Sequence, residues 1–297
     1  MNASPIVGIV GLGIMGSAYA RHLHAAGVAL VGYDVAAPAL DAFVRLGGKP
    51  AASPRDVAAA SDLVLTALPS VAALRQACLD AQAGIAAASA AGKAVVEMST
   101  LPVAAKEECR AALAAGGADM LDCPVSGTGA QAATRDIVLY ASGEAKVTER
   151  WRTLLECFAR EVRHVGPFGA GMKLKCVANL LVTIHNLASA EAMLLAEKSG
   201  LDLDLVYDAI RSGAGNSRIF ELRAPMMIAG RYEPPTMKME VHMKDLALIL
   251  DEARALSCPT PLLAASLPFY EAALAAGRKD QDTAALFAVL RGMMQGR

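Results

Sequence analysis

Lys175 and Asn179 stand four residues apart in the segment GPFGAGMKLKCVANLLVTIHNL. On a helix that spacing puts both side chains on one face. A partly desolvated lysine near a helix N-terminus has its charged form disfavoured twice, by burial and by the positive end of the helix. Its pKa then falls toward the range useful for acid–base work. Lys173, two positions away, points to nearly the opposite side and meets solvent. From spacing alone, Lys175 reads equally well as a surface lysine whose stem lies along the helix.

A second pattern opens the chain. GLGIMGSAYARHL, residues 11–23, carries Gly11, Gly13 and Gly16 in the spacing G-x-G-x-x-G. A lone match is weak, but here it follows a β-branched run and precedes a helical pattern, as a dinucleotide fingerprint requires. Gly11 permits the tight turn, Gly13 keeps a side chain away from the pyrophosphate, and Gly16 lets the helix pack on the strand. Leu12, Ile14 and Met15 complete the loop, and the helix N-terminus offers N–H groups to the phosphates. Asp34 ends the next strand, about twenty residues on. Its carboxylate suits the ribose hydroxyls and repels a 2′-phosphate, which favours NAD; Arg55 or a loop arginine could soften that preference and admit NADP. The plain alternative is a glycine turn with no ligand.

Other oxidoreductase chemistries lack their residues. None of the six tyrosines has a lysine four positions later. The six cysteines, at 78, 109, 123, 157, 176 and 258, form no C-x-x-C pair, so neither a disulfide framework nor a zinc site is expected. His22 and His24 lie on different helix faces and cannot clamp a metal together, and no metal is expected. With 28 basic and 29 acidic residues and no basic tract, nucleic-acid binding is discounted. Mean hydropathy is +0.38. The most apolar stretch is broken by Asn179, His185, Asn186 and Glu191 and reads as a buried helix rather than a membrane span. The start of the chain has no signal-peptide pattern, and reduced cysteines fit a cytoplasmic enzyme.

The elements that must position these residues alternate. SPIVGIVGLG, VALVGYD, SDLVLTALP and KAVVEMST read as strands. Helical patterns separate them: IMGSAYARHLHAAG, APALDAFVRLGG and SVAALRQACLD, then PVAAKEECRAALAAGG. This rhythm implies a doubly wound, Rossmann-like parallel sheet with helices on both faces. Further strands are expected in DMLDCPVSGTGAQAA, DIVLYASG and REVRHVG. The rhythm changes after residue 166. A helix over 169–199 is followed by helical patterns to the end. The expected organisation is a dinucleotide-binding domain, 1–166, joined by the long helix to an all-helical domain, 167–297.

At these residues the chain resembles the β-hydroxyacid dehydrogenases. IVGLGIMGSAYARHL resembles their cofactor signature, DCPVSGTGAQAA their substrate segment, GAGMKLKCVANL their lysine segment, and MKDLALILDEA a C-terminal block. The resemblance covers nearly the whole length. It implies that Lys175 is the general acid/base of a hydride transfer between NAD(P) and a small β-hydroxyacid, and that Asn179 helps hold the substrate. It implies that Ser126, Gly127 and Thr128 grip the substrate carboxylate with N–H and hydroxyl groups. It implies cofactor contacts at Leu68, Pro69, Thr100 and Lys244; a helix-face ion pair with Asp245 or another acid is the alternative for Lys244. It also implies a cleft between the domains and a homodimer or homotetramer. Three departures, Thr128 for a glycine, Ala178 for an asparagine, and Arg135–Asp136 for small apolar residues, leave the substrate open. The rival readings are an imine reductase on the same scaffold, against which Lys175 argues, and a dinucleotide-binding module without turnover.

Overall fold

In the computed structural model, residues 5–295 are described. The chain divides into two compact units, Met1–Lys175 and Cys176–Arg297.

The first unit is built on a six-stranded parallel sheet. Its strands are β1 (Val7–Val10), β2 (Leu30–Tyr33), β3 (Lys49–Pro50), β4 (Leu63–Thr66), β5 (Ala94–Glu97) and β6 (Asp119–Asp122). Their order, β3-β2-β1-β4-β5-β6, reverses between β1 and β4. Strands β1, β4 and β5 are buried at every position. That is why they read as unbroken apolar runs rather than alternating ones. One face is covered by α1 (Ile14–Ala25) and α2 (Ala37–Leu46), the other by α3 (Pro54–Ala60), α4 (Val71–Leu79) and α5 (Val103–Ala115). The doubly wound α/β sheet expected from the sequence is present. The short β3 and α3 were not foreseen, because a two-residue edge strand leaves no periodic signal.

The chain after β6 forms a separate sheet instead of extending the first. Strands β7 (Val125–Ser126), β8 (Val138–Ala141) and β9 (Glu161–His164) pair in that order, β7–β8 antiparallel and β8–β9 parallel. Pro124, which has no N–H to give a ladder, separates β6 from β7. Two short helices, α6 (Gly129–Ala133) and α7 (Ala145–Glu156), lie within this stretch. Ile137, Leu139, Ala141, Trp151 and Phe158 join the apolar cluster of β1 and α1, so the small sheet shares the first unit's core.

The long helix α8 (Ala170–Lys198) runs through the boundary between the units. In the second unit it is followed by α9 (Leu203–Arg211), α10 (Arg218–Ala229), α11 (Met239–Ala255), α12 (Pro261–Ala275) and α13 (Leu286–Gln295). By length and composition α8 could cross a membrane. Its polar side chains are instead bonded to neighbouring helices. Thr183 Oγ1 meets His242 Nε2 at 3.0 Å, and Asn186 Nδ2 donates to Tyr270 Oη and to the Thr283 carbonyl. A core helix satisfies its polar groups in this way. Asp282, fully buried, sits 3.3 Å from the buried Arg223 and accepts N–H bonds from Thr236, Met237 and Ala284.

Candidate active site

Gly11 follows β1 with φ +93°, and a Cβ there would lie 2.3 Å from the Ala67 carbonyl oxygen in the turn after β4. The conformation and the neighbour both demand glycine. A Cβ on Gly16 would fall 1.9 Å from the Gly11 oxygen, backbone against backbone. Gly13 is different. Nothing in the protein lies within 4 Å of a Cβ built there, and its φ of −65° suits any residue. The fold does not need that glycine; the open space beside the N-terminus of α1 is what a pyrophosphate needs. Gly13 caps α1 without a side chain, so the N–H groups of Ile14, Met15 and Gly16 have no acceptor on a preceding turn.

Asp34 follows β2. Its Oδ2 accepts the Leu12 N–H at 2.6 Å, and Oδ1 accepts the Ala36 N–H at 2.8 Å. The carboxylate therefore braces the glycine loop. With about four lone-pair sites, it retains capacity for ribose hydroxyls. Val35 and Ala36, which follow it, bring no positive charge. Arg55 opens α3 and donates to the Gln82 carbonyl. Leu68 and Pro69 follow β4 and Thr100 follows β5, at the carboxyl ends of parallel strands where open α/β sheets bind ligands. The cradle, the acid at the end of β2 and these turns fit a dinucleotide.

Ser126 ends β7, and Gly127 leads to Thr128, which caps α6. The Thr128 N–H donates to Gln131 Oε1 at 3.0 Å, and its hydroxyl takes the Gln131 N–H at 3.4 Å, a capping box. This explains a threonine where the resemblance implies glycine. Gln131 Nε2 in turn donates to Asp136 Oδ2 at 3.2 Å, Asp136 pairs with Arg160, and Arg135 donates to the Glu156 carbonyl. Arg135 and Asp136 thus brace the loop from behind. His22 of α1 bonds the Ala132 carbonyl of α6 at 2.9 Å, joining the helix after the glycine loop to the helix that Thr128 caps.

The start of α8 is pinned in the first unit. A Cβ on Gly171 would lie 2.3 Å from the Tyr140 carbonyl oxygen and 2.9 Å from that of Asp122. The Met172 N–H donates to Asp122 Oδ2 at 2.9 Å. Lys175, one turn further, is 6% exposed, while Lys173 is exposed. Asn179 is buried and its Nδ2 donates to Asp245 Oδ2 at 2.9 Å. Lys244 is 40% exposed and its Nζ stands 3.7 Å from Asp245 Oδ1. Asp122 was not singled out from the sequence, and Asp245 was named there only as an ion-pair partner for Lys244, not as the group that orients Asn179. Each sits inside a segment that was, D-C-P-V-S-G and M-K-D-L, and that adjacency was the available signal. Among the described residues no cluster of three His, Cys, Asp or Glu side chains could hold a metal ion.

Two family models divide the chain between them. The NAD-binding domain of 6-phosphogluconate dehydrogenase matches residues 6–166. The NAD-binding domain of NADP-dependent 3-hydroxyisobutyrate dehydrogenase matches residues 169–290. An L-threonate dehydrogenase of Cupriavidus necator is 36% identical, over 97% of this chain and 96% of its own. A 3-sulfolactaldehyde reductase of Escherichia coli is 32% identical, over 96% and 95%. Among solved structures, a 3-hydroxyisobutyrate dehydrogenase from Salmonella typhimurium superposes with a TM-score of 0.85 at 35% identity, over 96% of this chain and all of that one. The glycine cradle, the topology and these likenesses agree: the chain belongs to the β-hydroxyacid dehydrogenase family and is an NAD(P)-dependent oxidoreductase acting on the CH–OH group of hydroxyacids.

Proposed function

We propose that Lys175 is the general acid/base of this enzyme, that NAD is preferred over NADP, and that the substrate is a short hydroxyacid of the L-threonate or 3-hydroxyisobutyrate kind. The observation that carries the reading is a lysine only 6% exposed, held on the first turns of a helix whose start is bonded to the strand segment leading into Ser126. Bound nicotinamide supplies the acceptor for the hydride of the carbinol carbon. In oxidation the neutral Lys175 amine takes the hydroxyl proton as the C–O bond becomes a carbonyl; in reduction the ammonium returns it. The Ser126 hydroxyl and the Gly127 N–H donate to the substrate carboxylate. Thr128 shapes this loop through its cap, since its own N–H and hydroxyl serve Gln131. Asn179, oriented by Asp245, steadies the substrate. Leu68, Pro69, Thr100 and Lys244 contact the cofactor.

Exposed apolar side chains on α8 and α9, Val177, Leu181 and Leu205 among them, support assembly as a homo-oligomer. The six cysteines form no disulfide, which supports a reducing, cytoplasmic setting.

The test is a panel of L-threonate, 3-hydroxyisobutyrate and related acids with each nicotinamide, followed by NADH absorbance. Lys175→Ala should lower kcat by about a hundredfold or more, the scale of general acid–base catalysis, while NADH still binds. Turnover unchanged in that variant ends the assignment.

A further inference from the structure

A buried ammonium ties together four of the segments named above. Lys106, on α5, has no solvent exposure. Its Nζ lies 2.6 Å from Glu97 Oε2, 2.7 Å from Asp122 Oδ1 and 2.8 Å from the Ser99 carbonyl oxygen. An ammonium has three N–H donors, and each finds one acceptor. Burial opposes the charge, but Glu97 and Asp122 outweigh it and hold Lys106 protonated above the usual lysine range.

Each acceptor passes a bond outward. Glu97 Oε1 takes the Ser99 N–H at 2.9 Å, fixing the turn after β5 that leads to Thr100. Ser99 Oγ takes the Leu68 N–H at 2.8 Å, fixing the turn after β4. Asp122 Oδ2 takes the Ser142 hydroxyl at 3.1 Å and the Met172 N–H at 2.9 Å. Asp122 itself begins the segment to Ser126, and Met172 lies within one helical turn of Lys175. The strand ends, the substrate loop and the lysine helix therefore share one origin. Removing Lys106 alone would leave two buried carboxylates uncompensated, whereas an apolar cluster in place of all three groups would fill this volume at little cost in stability. What it could not do is give three separate turns one fixed reference point.

We propose that Lys106 is a positioning residue for the reaction: through Asp122 it sets where Lys175 stands, and through Ser99 it sets Leu68 and Thr100. The link to turnover rests on Lys175 being the acid/base; the effect on the helix start does not.

Asp122→Asn in the full chain tests this. Its amide offers one oxygen and one NH2, so it must place a donor against Lys106 or against the Met172 N–H. Glu97 still neutralises Lys106, so no lone charge is left buried. On the best substrate of the panel kcat should fall about tenfold or more, since small misplacements cost rate heavily. Amide exchange at Met172–Lys175 should rise about tenfold, a local loosening. NADH affinity by fluorescence titration should stay within about twofold, because Gly11–Gly16 and Asp34 lie outside the cluster. Lys106→Met should repeat the fall in kcat and the faster exchange at Met172–Lys175, and also speed exchange at Leu68 and Ser99 and weaken NADH binding through those turns; if it does not fold, Asp122→Asn decides alone. Wild-type kcat in folded Asp122→Asn overturns the proposal, and so does a fall in kcat with wild-type exchange at Met172–Lys175. Lys175→Ala separates the two failures. Intact turnover there indicts the acid–base assignment, whereas an unperturbed Asp122→Asn indicts the Lys106 cluster.

Discussion

Two alanine substitutions, at Gly13 and Gly16, separate what the fold needs from what the cofactor needs. At Gly16 the new Cβ would stand 1.9 Å from the Gly11 carbonyl oxygen and 3.0 Å from its carbon. Both sides of that contact are backbone, so the start of α1 must retreat. Overpacking of this kind costs about 1–3 kcal/mol. For a chain of this size each kcal/mol lowers Tm by roughly 2–4 °C. Gly16→Ala should therefore lose several degrees and bind NADH poorly. At Gly13 the new methyl meets no protein atom within 4 Å, and the backbone is extended. Its cost is confined to the weaker N-cap, about 1 kcal/mol or less. The same methyl occupies the space reserved for the pyrophosphate and disturbs charge-assisted N–H bonds worth about 1.5–3 kcal/mol. NADH affinity should fall about ten- to a hundredfold with Tm nearly unchanged. Differential scanning fluorimetry and fluorescence titration read the two quantities on one preparation. Wild-type NADH affinity in Gly13→Ala would refute the cradle, and a wild-type Tm in Gly16→Ala would refute the packing argument.

Two further outcomes follow from single carboxylates. Asp34→Ser keeps an oxygen for the Leu12 N–H but removes the charge, so the ratio of kcat/KM for NADP over NAD should rise by about tenfold or more, the worth of one charge-assisted contact; an unmoved ratio removes the case for NAD preference. Asp282→Asn leaves the buried Arg223 guanidinium without its counter-charge, a loss of about 3–5 kcal/mol. A thermal melt should show a fall well beyond that of Gly16→Ala, and a melt within a degree or two of wild type would show that Thr236 and solvent suffice to hold Arg223.

Sequence alone determined the alternation of strands and helices, because β1, β4 and β5 are buried on both faces and leave unbroken apolar runs between helical periods. It determined the dinucleotide loop, because G-x-G-x-x-G after a strand states a backbone requirement in residue types. The spacing of Lys175, Asn179 and Lys173 fixed which face each occupies, because a continuous helix converts separation into direction. Tertiary structure decided the rest. The separate sheet of β7, β8 and β9 depends on a break at Pro124 whose partners are distant in sequence. The role of Thr128 depends on Gln131 reaching back to it, and that of Arg135 and Asp136 on Glu156 and Arg160, more than twenty positions on. Lys106 read as one charged residue on a helical pattern. Only folding brings Glu97, Ser99 and Asp122 to its ammonium, because a buried charge takes its meaning from the groups around it and not from its neighbours in the chain.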